Sequence, residues 1–310
     1  MCYLVWEARW NGVRFAKDWG TRDEREHMPP RSHPTARQQR LGAELRKLRE
    51  EAGLSTEQAA ALLETKRTVI TSTEAGRHGV SPERVRRIAF RYECTDHELV
   101  DALVSMCGDR TTGWWEEYRD LLPSTFLDIA ELEWHAKVLR VSTMTHMPGQ
   151  FQTDAYARAL FGAAIPPLPA EEFEARVAHR VRRHQVIDRS DAPDYALTIH
   201  EAALRIEVGG RTVLRDQLRH LMAAAERDNV TIQAIPFSAG AFPGSGQSIL
   251  YAHGQVPALD TVQLDRSTAG EFLHSGAHLC KYRLQLDEMQ RIALSPEATL
   301  DLMHTISRDL

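Results

Sequence analysis

The chain lacks long apolar runs. No stretch of its 310 residues approaches the roughly 18 to 20 apolar positions that a bilayer span requires, and its mean hydropathy is -0.40. A helical membrane protein is therefore excluded. The first thirty residues also lack a continuous apolar core followed by a small-residue cleavage site, so a cytoplasmic location is expected. Cysteine is scarce. Cys2, Cys94, Cys107 and Cys280 are scattered with no C-x-x-C pair, which argues against a zinc ribbon, a redox motif and a disulfide scaffold, and free thiols are expected.

What is present is the composition of a soluble globular protein, 43% hydrophobic and 26% charged, at a length that suits two folded units. The formal net charge of -5 looks unsuited to a polyanionic partner, yet it is divided unevenly. Residues 37–92 carry twelve Lys or Arg against seven Asp or Glu, while residues 93–310 carry twenty against thirty-one. One end could approach nucleic acid that the other would repel.

Residues 1–36 begin with Tyr3, Trp6, Trp10, Phe15 and Trp19, become charged, and end in the proline-rich run from Met28 to Pro34. They read as an N-terminal extension and linker without fixed structure. Two alternatives stand for them: Met28 is the true start, or the segment is short, amphipathic and docks on the body.

From Arg40 the pattern turns helical, with Leu41, Leu45 and Leu48 at three- and four-residue spacing until Gly53. Ser55 and Gln58 form a capping box for a second helix over 56–63. Leu63-Glu64-Thr65 makes a turn, with Thr65 the expected N-cap of a third helix over about 66–75 that Gly76 ends. Ser81-Pro82 starts a fourth helix, and Thr95 with Glu98 forms a capping box for a fifth. The expectation is an all-helical five-helix domain over 38–107.

Residues 113–310 read as an α+β domain with a mixed sheet. Amphipathic helices are expected to open at Trp114 and to cover 124–139, 170–189, 211–228, 277–294 and 296–309. Strands are expected over 195–200, 230–236, 248–252 and 259–264. The fold class is thus multidomain, all-α followed by α+β.

Two short helices joined by a tight turn, the second basic and polar along one face, are what a DNA major groove accommodates. In the third helix Val69 and Ile70 supply inward positions. Lys66, Arg67, Thr68, Thr71 and Ser72 lie at or near the opposite face, where cations reach guanine or phosphate and hydroxyls reach either.

Residues 41–103 resemble the phage-repressor or Cro type of helix-turn-helix, the XRE family. The residues that carry this are Leu45-Arg46-x-Leu48-Arg49-x-x-Ala52-Gly53-Leu54-Ser55, Ala59-Ala60, Thr65 through Ile70, Glu74-x-Gly76-Arg77 and Ser81-Pro82. The resemblance implies that Thr56 and Arg77 touch phosphates and that Lys66, Arg67, Thr68, Thr71 and Ser72 face bases or nearby phosphates. It also implies that Arg49 pairs with Glu74 as part of the scaffold. Two departures matter: Thr56 stands where the family usually has Gln, and Glu64 where it usually has Gly in the turn.

Further on, Gly113-Trp114-Trp115, Pro148-Gly149-Gln150-Phe151-Gln152-Thr153-x-x-Tyr156-Ala157, Glu201-Ala202-Ala203-Leu204-Arg205, Gln217-Leu218-x-His220-Leu221, Pro236 through Gly240 and Leu294-Ser295-Pro296-Glu297 resemble the C-terminal domain of unknown function found behind this head in actinomycete regulators, the WhiJ-like group. The resemblance implies a developmental or antibiotic-linked regulator, often encoded beside a small partner of the BldB-like group. It carries over no catalytic residues.

Other motifs read as structural. His200-Glu201-x-x-Leu204 lacks the second His of a zinc helix and is expected to continue a strand. His274 and His278 lie near Cys280 without a fourth ligand, so neither a metal nor a cofactor is expected. The glycine-rich segment 238–246 lacks the Lys of a P-loop and reads as a long hairpin connection. Trp114 and Trp115 read as core, and no nucleophile-base arrangement is evident, so no enzyme is expected.

The expectation is a sequence-specific transcriptional regulator, a homodimer on a pseudo-palindromic operator of double-stranded DNA, whose C-terminal domain binds a small protein or a ligand. Three alternatives follow: an antitoxin-like holder of a small partner, a small-molecule sensor, and an enzyme fused to a DNA-binding head.

Overall fold

The computed structural model describes residues 34–108, 113–265 and 270–310. The expectations for Cys2 and for the extension up to residue 33 lie outside the described residues.

The N-terminal region contains five helices: α1 (Ala36–Glu51), α2 (Thr56–Leu62), α3 (Arg67–Glu74), α4 (Pro82–Arg91) and α5 (His97–Gly108). Helix α1 begins four residues before Arg40, because Thr35 and Gln38 form a capping box. Ser55 and Gln58 form the box that opens α2, and Ser81 caps α4 with Pro82 at its first position. Two caps differ from expectation. Lys66 occupies the N-cap of α3 with no side-chain cap, so Thr65 stays in the turn. At α5 it is Asp96, not Thr95, whose Oδ1 accepts the Leu99 amide at 2.9 Å.

Leu41, Leu45, Leu48, Ala59, Ile70, Val85, Ile88 and Leu103 form the core of this region. Gly42 lets α1 and α3 touch: a Cβ there would lie 2.5 Å from the Glu74 carbonyl oxygen. The core is not self-contained, since Leu259 belongs to the same cluster, with Val256 and Ala258 packed against it.

The C-terminal region opens with a short 3-10 helix over Trp114–Tyr118 rather than a full amphipathic helix. Helix α6 (Ser124–His135) follows, and then β1 (Val138–Thr143). The expected helix over 124–139 therefore ends early, and Leu139 lies in a strand, buried between neighbours from later in the chain. Next come α7 (Asp154–Gly162), α8 (Ala170–Arg182), α9 (Gln185–Asp188), β2 (Asp194–His200) and α10 (Glu201–Arg205). The expected helix over 170–189 is thus two helices. Glu201 starts a helix instead of continuing the strand, because His200 Nδ1 accepts the Ala202 amide and caps it. The chain ends with α11 (Arg211–Ala224), β3 (Val230–Ile235), β4 (Ile249–His253), β5 (Thr261–Leu264), β6 (Glu271–Leu273), α12 (Gly276–Ile292) and α13 (Pro296–Asp309).

The six strands form one mixed sheet in the order β3-β2-β1-β4-β5-β6. β1, β2 and β3 are parallel, and β4, β5 and β6 extend the sheet antiparallel from β1. β3 and β4 do not pair, so 238–246 is part of a crossover past two strands and not a hairpin connection. Leu139, Val141, Leu197, Ile199 and Leu250 face a core shared with α11 and α13. Ile249, Tyr251, Val262 and Leu264 face α12 through Leu279, Tyr282, Leu286 and Met289.

Helix α6 joins the two regions. Asp128 Oδ1 accepts the Ala36 amide at the start of α1, and Arg40 donates to the Ala258 carbonyl while pairing with Glu44 at 3.2 Å.

Candidate nucleic-acid interface

Helix α2, the turn and α3 form a bihelical unit. The turn is tight enough that Glu64 adopts φ +53°, the left-handed region that an L side chain enters at a cost. The Arg87 guanidinium donates to the Leu63 carbonyl at 2.5 Å and fixes the turn from α4. Nothing in the local sequence marks Arg87 for that task.

Along α3, Ile70 and Thr73 are buried, Val69 and Ser72 are half-buried, and Arg67, Thr68 and Thr71 are exposed on the outer face. Lys66 is exposed at the helix start and Arg77 beyond its end; neither makes an ion pair with a described residue. The Thr71 hydroxyl donates to the Thr68 carbonyl at 3.1 Å.

Arg67 is differently placed. Its Nη1 lies 3.0 Å from Glu57 Oε1, and the Thr56 hydroxyl donates to Glu57 Oε2 at 3.0 Å. Glu57 thus gathers two of the candidate DNA contacts around one carboxylate. Its pKa is lowered by a hydrogen bond from its own backbone, by Thr56 and by Arg67. In the sequence Glu57 is marked only as an acid in the first turn of the helix before α3.

Arg49 and Glu74 lock α1 to α3. Nε donates to Oε1 at 2.6 Å and Nη2 to Oε2 at 3.0 Å, while Nη1 donates to the Leu54 carbonyl at 2.7 Å. The Glu74 hydrogen bond outweighs burial and raises the Arg49 pKa. Burial and the Glu74 charge push the nearby Tyr92 phenol up to about 12.

In the C-terminal region the segment from Pro148 to Thr153 is a hub. Gln150 Nε2 donates to Glu133 at 2.5 Å, and Tyr195 donates to Gln150 Oε1 at 2.9 Å. Gln217 donates to the Phe151 carbonyl at 2.6 Å and accepts the Thr153 amide at 2.8 Å. Glu133 is also paired with Arg183, both almost wholly buried. Glu201 is engaged by Arg205 and by the Phe237 amide, which makes it a structural acid. Trp115 is buried and Trp114 packs half-buried beside it. Among the described residues no group of three or more His, Cys, Asp or Glu side chains could hold a metal, and no helix is long and apolar enough to cross a membrane.

A helical unit with an exposed basic and hydroxyl-bearing second helix, followed by a mixed-sheet domain, is the architecture of a DNA-binding regulator. A family model described as a helix-turn-helix domain matches residues 40–103, and one described as a domain of unknown function, DUF5753, matches residues 126–305. The chain belongs to the DUF5753 family and carries an N-terminal helix-turn-helix domain. No curated protein and no solved structure matches it.

Proposed function

We propose that the protein is a sequence-specific transcriptional regulator of the XRE type that binds DNA as a homodimer, with α3 in the major groove. The observation that carries this is the outer face of α3, where Arg67, Thr68 and Thr71 are exposed between the exposed cations Lys66 and Arg77. A single head makes few base contacts, so two heads on a pseudo-palindromic operator supply the affinity that one lacks. Phe90, on α4 and 79% exposed, offers an apolar contact to a second copy. The chain acts as a regulator and not as an enzyme, and DNA binding places it in the cytoplasm, on the nucleoid.

The test is a salt-series binding titration against DNA from upstream of the protein's own coding sequence, beside a scrambled duplex of equal length. Preference for the first duplex and a steep loss of affinity with salt are expected. The Lys66→Ala, Arg67→Ala double variant weakens specific binding by about tenfold or more. Parent-like affinity in that variant would remove α3 from the interface.

The WhiJ-like resemblance adds a small BldB-like partner for the C-terminal domain, which co-purification of a protein of a few kilodaltons would support. A second reading, small-molecule sensing, is favoured by a cavity in the same domain.

A further inference from the structure

Arg176 and Arg180 on helix α8 and Arg183, which caps it, follow one another along one face, and all three line a cavity of about 440 Å³. Two are neutralised within the fold. Arg176 pairs with Glu172 at 2.6 Å, and Arg183 makes a two-pronged contact with Glu133. Gly149 leaves room for that second guanidinium, since a Cβ there would fall 2.5 Å from Arg183 Nη1.

Arg180 has no such partner. Its Nη1 donates to Gln152 Oε1 at 2.8 Å and its guanidinium lies 4.9 Å from the Phe161 ring, but no described carboxylate reaches it. Its Nε is sealed from solvent and bonds to none of the described residues. Burial, then the charge of Arg183, pull it down to about 9 against the opposing charges of Asp265 and Glu133, so it remains a cation at neutral pH. A half-buried guanidinium with no carboxylate in ion-pair contact is costly, and folds neutralise one or leave room for a ligand to do so.

The cavity's position points the same way. It opens beyond the carboxyl end of β1, where the sheet changes from parallel to antiparallel, the crevice in which open α/β sheets bind ligands. Thr143, the last residue of β1, also lines it, and its buried hydroxyl has no partner among the described residues. His146 lies on the wall with its pKa lowered by burial and by Arg180, and it is therefore a neutral hydrogen-bonding group. Phe126, Ile129, Val141, Leu160 and Leu250 supply apolar wall. Asp265 stands exposed at the edge, holding the Gln263 amide at 2.8 Å.

The geometry points to a ligand site for a small organic monoanion, its carboxylate on Arg180 and Thr143 and its apolar body against Phe126, Ile129 and Leu160. The volume suits a metabolite-sized acid. Asp265 at the edge disfavours a second negative charge, so a carboxylate fits better than a phosphate dianion.

The experiment is thermal melting of the full chain without DNA, so its failure leaves the DNA-binding reading untouched. The probes are benzoate, hexanoate and inorganic phosphate at millimolar concentration and fixed ionic strength. Benzoate or hexanoate raises the Tm of the parent by about 2–4 °C and that of Arg180→Met not at all. Without any probe, Arg180→Met melts above the parent, because a cation with no carboxylate in ion-pair contact has been replaced by an apolar side chain of similar length. A lower Tm for the probe-free Arg180→Met variant would show that Arg180 serves the fold and would overturn the site. So would an unchanged parent Tm with both carboxylates, or stabilisation by phosphate alone.

Discussion

In the free protein Glu57 Oε1 holds Arg67 Nη1 at 3.0 Å, so the foremost cation of α3 is engaged by an acid on the neighbouring helix. In the proposed binding mode, DNA displaces Glu57 before Arg67 reaches a base or a phosphate. Both side chains are exposed, so the displaced pair is weak.

Glu57→Gln therefore tightens DNA binding, by about threefold to tenfold, because it removes both the competing partner and a negative charge near the phosphates. The same change loosens the hold on the Thr56 hydroxyl, because a neutral amide oxygen accepts less strongly than a carboxylate. A filter-binding or fluorescence titration at low and at moderate salt checks this; weaker binding would mean that Glu57 orients Arg67 productively.

Glu64→Gly stabilises the protein by about 1 kcal/mol, since φ +53° suits glycine and strains an L side chain. Urea unfolding reads it as a raised midpoint with unchanged slope. The gain is partial, because glycine also makes the unfolded chain more flexible.

Acid sensitivity traces in part to His179, which is fully buried among Trp114, Tyr118 and Phe126 with ring centroids 5.1, 5.2 and 5.8 Å away. Burial, with Arg183 and Arg180 beside it, lowers its pKa to about 3. The unfolded chain takes up that proton near pH 6.5 and the folded chain does not, so its contribution to stability is intact above pH 6.5 and falls as pH drops towards 3. By pH 5 the loss is about 2 kcal/mol. His179→Leu flattens the dependence of Tm on pH between 6.5 and 4.5, whatever it does to Tm at neutral pH; an unaltered slope would clear His179 of the role.

Leu259→Ala removes a side chain from the core of the helical region although it lies in the C-terminal part of the chain. A cost of about 2–4 kcal/mol is expected. Hydrogen exchange locates it: α1 amides lose protection, which would not happen if Leu259 supported only the sheet.

The sequence made the local features legible. Ser55 with Gln58 and Ser81 with Pro82 announce helix starts because each cap is completed within four residues. The strands β2, β3 and β4 could be found from their apolar and β-branched runs. Leu139 could not, because β1 is a strand only through pairing with β2 and β4, which lie far along the chain. Asp96 is masked in the sequence because Thr95 beside it fits the same capping pattern one residue out of phase. Arg180 sits in the run Arg180-Val181-Arg182-Arg183, which reads as ordinary basic surface. Only the tertiary fold sends Arg182 out to Glu117, Arg183 to Glu133, and Arg180 into a cavity.

The seating of Leu259 in the helical region also sets a timetable for synthesis. The five N-terminal helices leave the ribosome first, while the residue that closes their core follows on the order of 150 residues later, about 8–30 s at ordinary elongation rates. During that interval the place that Leu259 fills in the helical core stands open. A head transplanted onto another regulator would meet the same condition permanently, so an exchange of DNA specificity between such proteins must carry the 254–260 segment along with the helices it completes.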